Sequence, residues 1–557
     1  MLKPKNIWTA VFVLFAVASA VWAMRAQGPA VNEAQVQQGS THDDWPGHYG
    51  TSLAWRYSAL NQINTANVKN LLPAWIFQTG DYAYGLQSTP IVVGGVVFLS
   101  AADDVFALDG RSGTDLWEYK YEPVNGLGVG RNFGVAVSDG KVFLGTHDAH
   151  VVALDQKTGR EVWKVAIADA SSCQCNIQAA PLIAGNDVIV GMGAPRSEVV
   201  AIEGKTGRIK WRFYAIPGAG EKELATWEGD SWKNGKANTW TTGSYDSELN
   251  LVYWGTGDAS PAFYGAKRRG SNLYADSIVA LDATTGKLRW YFQEVPHDVW
   301  DFDAGWEMVL IDREVRGQMR KLLVQFSKSG FTFVLDRVTG KLVTAYPFVE
   351  NYNWVKGISE TGELLGRNEP QLNQVTLICP GNIGGKSWNQ TAYSPRTGLS
   401  YIPVLEMCND LDVKSPRDGE GGMGGSFVFN APPGHATAYS HIDAVDPLTG
   451  QRKWTYPYKY ELFSSMLATA GDLVFTGDPE GFFFALDARS GEKLWSFQTG
   501  AGNRGSAITY SVGGRQFIAT PTGWTTVGDL TTGIWPEATR WHHGSALIVF
   551  ALPEQSK

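Results

Sequence analysis

The chain has 557 residues, of which 44% are hydrophobic and 18% charged, a composition that supports a large buried core and excludes a disordered protein. Its 55 acidic residues outnumber 47 basic ones, and the resulting net charge of −8 argues against a nucleic-acid partner. The 63 glycines and 22 tryptophans indicate many tight turns and much flat aromatic packing, which is typical of an all-β repeat protein.

The first 26 residues have the features of a secretory signal peptide. Lys3 and Lys5 form a basic start, residues 7–21 are apolar, and small residues up to Ala26 offer cleavage positions. The alternative is an uncleaved membrane anchor, because the apolar run is close to the ~17 residues that a spanning helix needs. No later segment is apolar enough to cross a bilayer. We therefore expect a mature chain without an integral membrane span, exported to a compartment such as the bacterial periplasm.

A short phrase recurs along the chain and predicts its fold. It consists of Ala, an apolar residue, an acid, three variable residues ending in Ser or Thr, Gly, three more residues and Trp. Copies begin at Ala107, Ala153, Ala201, Ala280, Val334, Ala444 and Ala485, with a weak copy at Ala392, and the Val334 copy lacks the tryptophan.

The spacing of the phrase matches one architecture. Most neighbouring copies lie about 40–60 residues apart, close to the ~40–50 residues of a four-stranded propeller blade. The acid ends a strand, the glycine takes a turn conformation closed to other residues, and the tryptophan packs flat between blades. Together with a closing strand at residues 546–552, this predicts an all-β, eight-bladed β-propeller with tryptophan-docking repeats. The whole of residues 27–557 then forms one domain; the alternative is an array of β-sandwiches.

Insertions into the repeat are predicted on one face. One lies in the long interval after the Ala201 copy, and the other spans residues 409–440. The second contains the glycine-rich stretch 418–425, which we interpret as a flexible loop because it lacks the context of a phosphate-binding loop.

The four cysteines are Cys173, Cys175, Cys379 and Cys408, and in an oxidising compartment they allow three pairings. Proximity favours Cys173 with Cys175 and Cys379 with Cys408. No Cys-x-x-Cys-His sequence is present, which excludes a c-type haem attached to this chain, and no cysteine or histidine group has the spacing of a structural zinc site.

Two segments, residues 226–258 and 296–303, are dense in Trp, Gly and Asp yet interrupt the repeat. The chain resembles the pyrroloquinoline quinone (PQQ)-dependent alcohol dehydrogenases, including methanol dehydrogenases. These two segments carry the resemblance together with residues 44–47, 60–63, 471–474 and 523–524, and it extends over nearly the whole mature chain. The resemblance implies an exported quinoprotein oxidoreductase with PQQ near the propeller axis and a bound Ca²⁺ or lanthanide ion. Such an enzyme oxidises an alcohol by hydride transfer to PQQ and passes electrons to a cytochrome c or similar acceptor. The resemblance also implies that Cys379 and Cys408 form a disulfide that is typical of this family.

The resemblance assigns roles to three aspartates. Asp301 corresponds to the catalytic base, and Asp258 stands where the family usually has a metal-binding Asn. Asp303 matches an additional acid of lanthanide-using members. Because residues two apart on an extended strand share a face, Asp301 and Asp303 are expected to meet one cation, with Asp258 as a third metal ligand.

Further positions correspond to cofactor-binding residues of the family. Trp240 matches the residue under the quinone ring, and Lys328 matches a Lys or Arg near the quinone oxygens. The remaining candidate cofactor-binding residues are Gln87, Arg131, Gln178, Asn389 and Trp524.

The chain also departs from the family pattern. Gln87 replaces a Glu, Phe133 replaces an Arg while Arg131 lies two residues earlier, and Gln178 replaces a Thr. Residues 126–130 stand where the family has adjacent cysteines, and the loop with a metal-ligand Glu is shortened to residues 193–196. We hypothesise that Asp258 offsets the missing Glu, and that the pair Cys173–Cys175 covers the ring face that the adjacent cysteines cover in the family.

Two alternatives to the alcohol dehydrogenase remain at this point. One is a cofactor-free propeller that acts as a binding or assembly scaffold, and the other is a related quinoprotein that acts on sugars or polymeric alcohols. The tryptophan-rich segment and the acids at 301 and 303 favour an enzyme over a scaffold, because a scaffold needs no carboxylates near its axis.

Overall fold

Seven copies of the repeated phrase form the turn between the third and fourth strands of a four-stranded antiparallel sheet. The computed structural model describes residues 43–81, 83, 85–124, 130–173, 175–193, 196–415, 423–524 and 531–554. The predicted signal peptide lies outside the described residues, as do most of residues 126–130, the middle of the 193–196 loop and most of the 418–425 loop.

Eight four-stranded antiparallel sheets make up the eight-bladed propeller that the spacing predicts. Blade 1 comprises Ile91–Val93, Val96–Ala101, Asp104–Asp109 and Asp115–Tyr119, and blade 2 comprises Ala136–Ser138, Lys141–Gly145, His150–Asp155 and Glu161–Ala166. Blade 3 comprises Leu182–Ala184, Asp187–Met192, Glu198–Glu203 and Ile209–Tyr214, and blade 4 comprises Ser244–Asp246, Leu251–Gly255, Ser277–Asp282 and Leu288–Gln293. Blade 5 comprises Val309–Val315, Gln318–Phe326, Phe331–Asp336 and Leu342–Pro347, and blade 6 comprises Ala392–Ser394, Leu399–Glu406, Tyr439–Val445 and Arg452–Tyr458. Blade 7 comprises Leu467–Thr469, Leu473–Gly477, Phe482–Asp487 and Lys493–Gln498, and blade 8 comprises Ile508–Val512, Arg515–Thr522, Ala546–Ala551 and Leu72–Gln78. From blade 1 to blade 5, and from blade 6 to blade 7, the first strands of neighbouring blades contact one another, which places them around the axis.

Blade 8 joins the two ends of the folded chain. Its third strand, Ala546–Ala551, confirms the predicted closing strand, and its fourth strand is Leu72–Gln78. The assignment of the weak copy at Ala392 to a separate repeat was wrong, because Ala392 begins the first strand of blade 6, the blade that already contains the Ala444 copy. Blade 8 has no copy of the phrase, since its outer strand comes from the other end of the chain and no third-to-fourth turn is needed.

The tryptophans pack between blades as predicted. Trp117 of blade 1 lies against Gly159 of blade 2, where a Cβ atom would come within 2.6 Å of the indole ring. The Trp117 Nε1–H donates to the carbonyl oxygen of Gln156, the residue after the acid, at 3.1 Å. The same two contacts, of the indole ring with the turn glycine and of the indole N–H with the backbone carbonyl oxygen, recur at the other junctions where a tryptophan packs against a turn of the repeated phrase. Glycine is required there because its positive φ, +68° at Gly159, combines with the close approach of the ring.

In the copy without a tryptophan, a tyrosine packs against the neighbouring blade instead. Between blades 5 and 6, the ring of Tyr346 lies against Gly450, where a Cβ atom would be 2.6 Å away. The Tyr346 hydroxyl donates to the carbonyl oxygen of Pro447 at 2.9 Å, which is the position the indole N–H uses elsewhere. A tyrosine two residues further along the strand therefore serves the docking role at this junction.

The remaining elements are short. They are Tyr57–Ser58, parallel to the first strand of blade 7; a hairpin of Gly357–Ile358 and Leu364–Leu365; a three-stranded sheet of Val375–Ile378, Cys408–Val413 and Gly425–Asn430; the α-helix Ala170–Cys173; and 3₁₀ turns Val68–Asn70, Lys222–Thr226, Ser231–Asn234, Gly265–Lys267 and Pro536–Arg540. Disulfides join Cys173 to Cys175 and Cys379 to Cys408, which confirms the pairing that proximity favoured. Within the described residues, no helix has the length and hydropathy that a membrane crossing requires.

Candidate active site

The candidate residues lie in loops at one end of the propeller. Each is in a connection from the fourth strand of a blade to the next blade, in the segment leading into blade 1, or in a loop between a second and a third strand. In an antiparallel blade the second and fourth strands end on the same side, so these loops share one end of the propeller. Asp258 and Lys328 come from second-to-third loops, and Asp301, Asp303 and Trp240 come from connections between blades.

Asp258, Asp301 and Asp303 meet at this end and form what we call the acid trio. One carboxylate oxygen from each lies within 4.8 Å of the others, and Asp303 is buried while the other two are half-buried. The backbone N–H of Asp258 donates to Asp303 Oδ1 at 3.0 Å, which connects the two loops directly. Such an arrangement of carboxylate oxygens suits a hard, highly charged cation.

The backbone around Asp301 differs from the extended strand that the sequence argument assumed. Asp301 has a left-handed conformation with φ +68°, and the segment is a loop. The Asp298 carboxylate forms this loop by accepting the backbone N–H groups of Trp300 at 2.9 Å and Phe302 at 2.8 Å. Trp300 and Phe302 pack on Trp354, which turns the intervening Asp301 towards the trio. The two carboxylates meet as predicted, but through a tight loop.

Lys328 lies inside the acid trio. Its Nζ is 3.0 Å from Asp303 Oδ2 and 3.4 Å from Asp301 Oδ1. Burial raises the pKa of Asp258 and of Asp301, and like charges add to this effect while Lys328 opposes it. For Lys328, burial favours the neutral amine, but Asp301 and Asp303 outweigh it and raise its pKa. One ammonium facing three carboxylates leaves an excess of negative charge that a bound cation would neutralise.

Two residues that the sequence analysis missed position the trio. Asn382 Nδ2 donates to Asp301 Oδ2 at 3.3 Å. Arg268 is buried, and it donates to the carbonyl oxygens of Pro261 and Ala262, near Asp258, and to that of Asp298, near Asp301. The position of Asn382 soon after Cys379 was a usable signal, whereas Arg268 had none, because its partners are backbone atoms that no sequence pattern marks.

Trp240 lies beside the loop that carries Asp303. Its half-buried indole contacts Trp306 edge-on, with ring centroids 5.3 Å apart, and lies 6.2 Å from the ring of Phe133. A Cβ atom at Gly305 would be 3.5 Å from Trp240 Nε1, so the ring borders the segment that carries Asp303. An indole in this position provides a flat apolar surface next to this loop.

The other predicted cofactor residues surround the axis more loosely. Gln87 is buried and lines an enclosed cavity with Phe133, Trp306 and Arg504. Arg131 is half-buried in the connection between blades 1 and 2.

Three further candidates are held by local contacts. Gln178 Nε2 donates to Asn176 Oδ1 at 3.1 Å, and the short helix with Cys173 precedes it in the same connection. Asn389 Nδ2 donates to the Leu462 carbonyl oxygen at 2.6 Å, while its Oδ1 has no hydrogen-bond partner in the described part of the chain. Trp524 stacks on Phe463 at 6.4 Å. Within the described ranges, none of these three side chains hydrogen-bonds to the acid trio.

Comparisons with known proteins agree with this geometry. Residues 45–352 and 459–518 match the model of the PQQ-dependent glucose/ethanol/alcohol dehydrogenase β-propeller domain. The chain is 32% identical to the quinoprotein alcohol dehydrogenase PedH of Pseudomonas putida, over 90% of this chain and 89% of that protein. It is 34% identical to a quinohemoprotein alcohol dehydrogenase of Comamonas testosteroni, over 92% of this chain and 79% of that one.

Lanthanide-using proteins are among the similar ones. The chain is 35% identical to a lanthanide-dependent methanol dehydrogenase of Methylorubrum extorquens, over 85% of this chain and 86% of that protein. A europium-containing methanol dehydrogenase superposes with a TM-score of 0.86 at 31% identity, covering 94% of this chain and all of that one. These similarities support an enzyme and give no support to a cofactor-free scaffold. The chain belongs to the family of PQQ-dependent alcohol dehydrogenases.

Proposed function

We propose that this chain oxidises a small alcohol to an aldehyde or ketone at a site where Asp258, Asp301 and Asp303 hold a Ca²⁺ or lanthanide ion next to PQQ. The acid trio is the observation that carries the proposal, because three converging carboxylates provide the oxygen ligands and the negative charge that such ions need. Trp240 adds a flat aromatic ring that borders the loop of Asp303. The residues present therefore fit both the ion and a flat quinone.

When bound, PQQ would supply a quinone that accepts hydride, and the ion would supply Lewis-acid polarisation. Asp301 is the base that takes the hydroxyl proton of the alcohol at its carboxylate. Asn382 and Lys328 contact different oxygens of that carboxylate, which fixes its orientation. Burial, which raises the pKa of Asp301 to about 7, also strengthens the carboxylate as a proton acceptor.

Asp303 and Lys328 have supporting roles in the same proposal. The buried Asp303 accepts the Lys328 ammonium and the Asp258 backbone N–H, so that it positions both neighbours. The Lys328 ammonium is placed to stabilise negative charge on a group bound beside the trio.

We propose further that residues 27–557 form a single exported domain and that the electrons leave to a separate cytochrome c or similar acceptor. The supporting observations are the basic-apolar start of the chain, the closure of blade 8 by both ends of the folded chain, and the absence of a Cys-x-x-Cys-His sequence.

The test is to load the metal-free protein with PQQ and either Ca²⁺ or La³⁺, record the quinone absorbance, and follow dye reduction with short alcohols. We expect Asp301→Asn to keep the quinone absorbance and to lose about 10²- to 10⁴-fold in turnover, the usual contribution of a general base. The exposed Asp230→Asn is the control and should behave as the wild type.

Two results would contradict the proposal. Absence of quinone absorbance with both ions would exclude PQQ binding. Full turnover in Asp301→Asn would exclude Asp301 as the base while leaving the cofactor in place.

A further inference from the structure

A fully buried ion pair joins two of the loops that form the site. The Lys386 ammonium lies 2.9 Å from Glu307 Oε2, and the two side chains are 0% and 1% exposed. Glu307 Oε1 accepts the backbone N–H of Thr391 at 2.8 Å, and the ammonium also donates to the carbonyl oxygen of Ser387 at 3.2 Å. We call Glu307 and Lys386 the loop brace.

An ion pair in this position is a poor source of stability. Removing two charges from water costs about as much as their attraction returns, so apolar residues of similar volume often stabilise a protein equally well. Burial lowers the pKa of Lys386 while Glu307 opposes this effect, which reflects the same competition. A buried pair instead restricts how two segments align, because only one arrangement brings both charges into contact.

The brace connects loops that carry groups of the site. Glu307 follows Asp301 and Asp303 in the connection from blade 4 to blade 5. Lys386 follows Asn382 in the connection from blade 5 to blade 6, which we call the Asn382 loop. Asn382 Nδ2 donates to Asp301 Oδ2, so this hydrogen bond and the brace join the same two loops at separate points. The orientation of the Asp301 carboxylate therefore depends on where the brace holds the Asn382 loop.

The Asn382 loop also lies against Lys328. The backbone N–H of Gly385 donates to the Lys328 carbonyl oxygen at 2.9 Å, and a Cβ atom at Gly384 would collide with the Lys328 side chain. A displacement of this loop would consequently move both side chains that contact the Asp301 carboxylate, Asn382 and Lys328.

We propose that Glu307 and Lys386 are positioning residues, whose ion pair holds the Asn382 loop in the register that orients the Asp301 carboxylate for proton transfer. This inference rests on the proposed function, in which Asp301 is the base, and adds to it two residues that act on Asp301 through Asn382. A misplacement of about 1 Å can cost about 10²-fold in rate, so the effect belongs to turnover and not to binding.

The main test is Glu307→Gln/Lys386→Met, which replaces the brace by neutral side chains of similar size, in the protein loaded with PQQ and Ca²⁺. We expect kcat and kcat/KM for a short alcohol to fall together by about 10- to 100-fold, with quinone absorbance and metal content unchanged. Thermal unfolding should stay close to that of the wild type, because both charges are removed together. Lys386→Met alone leaves a buried carboxylate unpaired and should lose stability as well.

A double-mutant cycle with Asn382→Ala tests the route of the effect. Asn382→Ala should lower kcat by itself, but in the brace variant the two losses should not multiply, as independent losses would. Glu307→Asp, which keeps the charge and shortens the side chain, takes the place of the neutral pair in this cycle if that pair does not fold.

Asp246→Asn is the matched control. The Asp246–Arg337 ion pair is also buried, but its residues lie in turns at the opposite end of the propeller. This variant should lose stability and keep the kcat of the wild type.

Wild-type kcat in the folded brace variant, or a loss that multiplies with that of Asn382→Ala, would overturn this inference and leave the proposed function intact. Absence of turnover in the wild type loaded with PQQ and either ion, or full turnover in Asp301→Asn, would overturn both.

Discussion

The blade junctions at the edge of the propeller and the loops at its end are built on opposite principles. At the junctions one set of contacts recurs, an aromatic ring on a turn glycine and a hydrogen bond to the residue after the acid. At the site, each loop contributes different residues: Asp258 comes from blade 4, Asp301 and Asp303 come from the next connection, and Lys328 comes from blade 5. Repetition therefore produces the architecture, and the irregular loops produce the chemistry.

The two regions also differ in what they contribute to stability. A junction buries a large neutral ring and satisfies its single polar group, which favours folding. The site buries acidic groups close together: burial raises the pKa of Asp276, and the charges of Asp298, Asp258 and Asp303 raise it further. Burying such groups opposes folding, so the junctions supply the stability that the site reduces. Variants in the two regions should consequently have separable effects.

The largest effect is expected at a junction. Trp117→Ala removes an indole packed on Gly159 and should lower the free energy of unfolding by about 3–5 kcal/mol, the range for large aromatic truncations. Urea unfolding measures this, with the half-exposed Val162→Ala on the next blade as control. Affinity for PQQ and metal should stay unchanged in the folded variant. Loss of binding together with stability would show that the two regions are not separable.

A charged junction provides the next test. His441 in blade 6 lies 3.0 Å from Asp443 and 3.5 Å from Glu406, and Glu406 accepts the backbone N–H groups of Glu350 and Asn351 beyond blade 5. Burial lowers the pKa of His441, but its hydrogen bonds to Asp443 and Glu406 raise it to about 9. These charged contacts add to the packing between blades 5 and 6, the junction where tyrosine replaces tryptophan.

Because the folded-state pKa of His441 exceeds the unfolded value of about 6.5, its stabilisation is complete below that pH and is lost as the pH rises through about 9. We expect His441→Gln to cost about 3 kcal/mol at pH 6 and much less at pH 10. Urea unfolding of both proteins across this range measures the difference. A penalty that does not depend on pH would assign the effect to packing instead of charge.

A smaller effect, on the site alone, is expected for Asp258→Ala. Removal of one of three carboxylates should lower the affinity for Ca²⁺ by at least about tenfold in the PQQ-loaded protein. Stability should remain constant or rise, because repulsion with Asp301 and Asp303 is relieved. Metal content and thermal unfolding are the measurements, with Asp230→Ala as control. Unchanged occupancy would show that Asp258 does not compensate for the missing Glu.

The smallest effect concerns the replaced ring. Tyr346→Phe keeps the ring on Gly450 but removes the hydrogen bond to the Pro447 carbonyl oxygen, which should cost about 1 kcal/mol. Tyr346→Ala, which also removes the ring, should cost several times more. If both variants lose equal stability, the hydroxyl and not the ring is the main contributor at this junction.

The repeated parts of the fold were predictable and the unique parts were not. The phrase revealed the turns, the strands and the docking tryptophans because each copy reports the same local geometry. Blade 8 could be inferred only from its closing strand, since its partner strand Leu72–Gln78 lies at the other end of the folded chain. The error at Ala392 has the same origin, because a turn between first and second strands resembles one between third and fourth.

At the site, family resemblance predicted the acid trio and Lys328, but the roles of Asn382 and Arg268 emerged only from the structure. Asn382 contacts Asp301 across a separation of 81 residues, and Arg268 acts through backbone carbonyl groups. Such contacts depend on ring closure and leave no periodic signal in the sequence.

The pairing of Leu72–Gln78 with Ala546–Ala551 has a consequence for biosynthesis. A growing polypeptide makes the outer strand of the last blade early and its hydrogen-bonding neighbour almost at the end of translation. Contacts between such distant segments slow folding, because chain entropy must be lost before they form. The native circle therefore assembles only after synthesis is complete, and products truncated before residue 546 retain an open edge that is prone to aggregation.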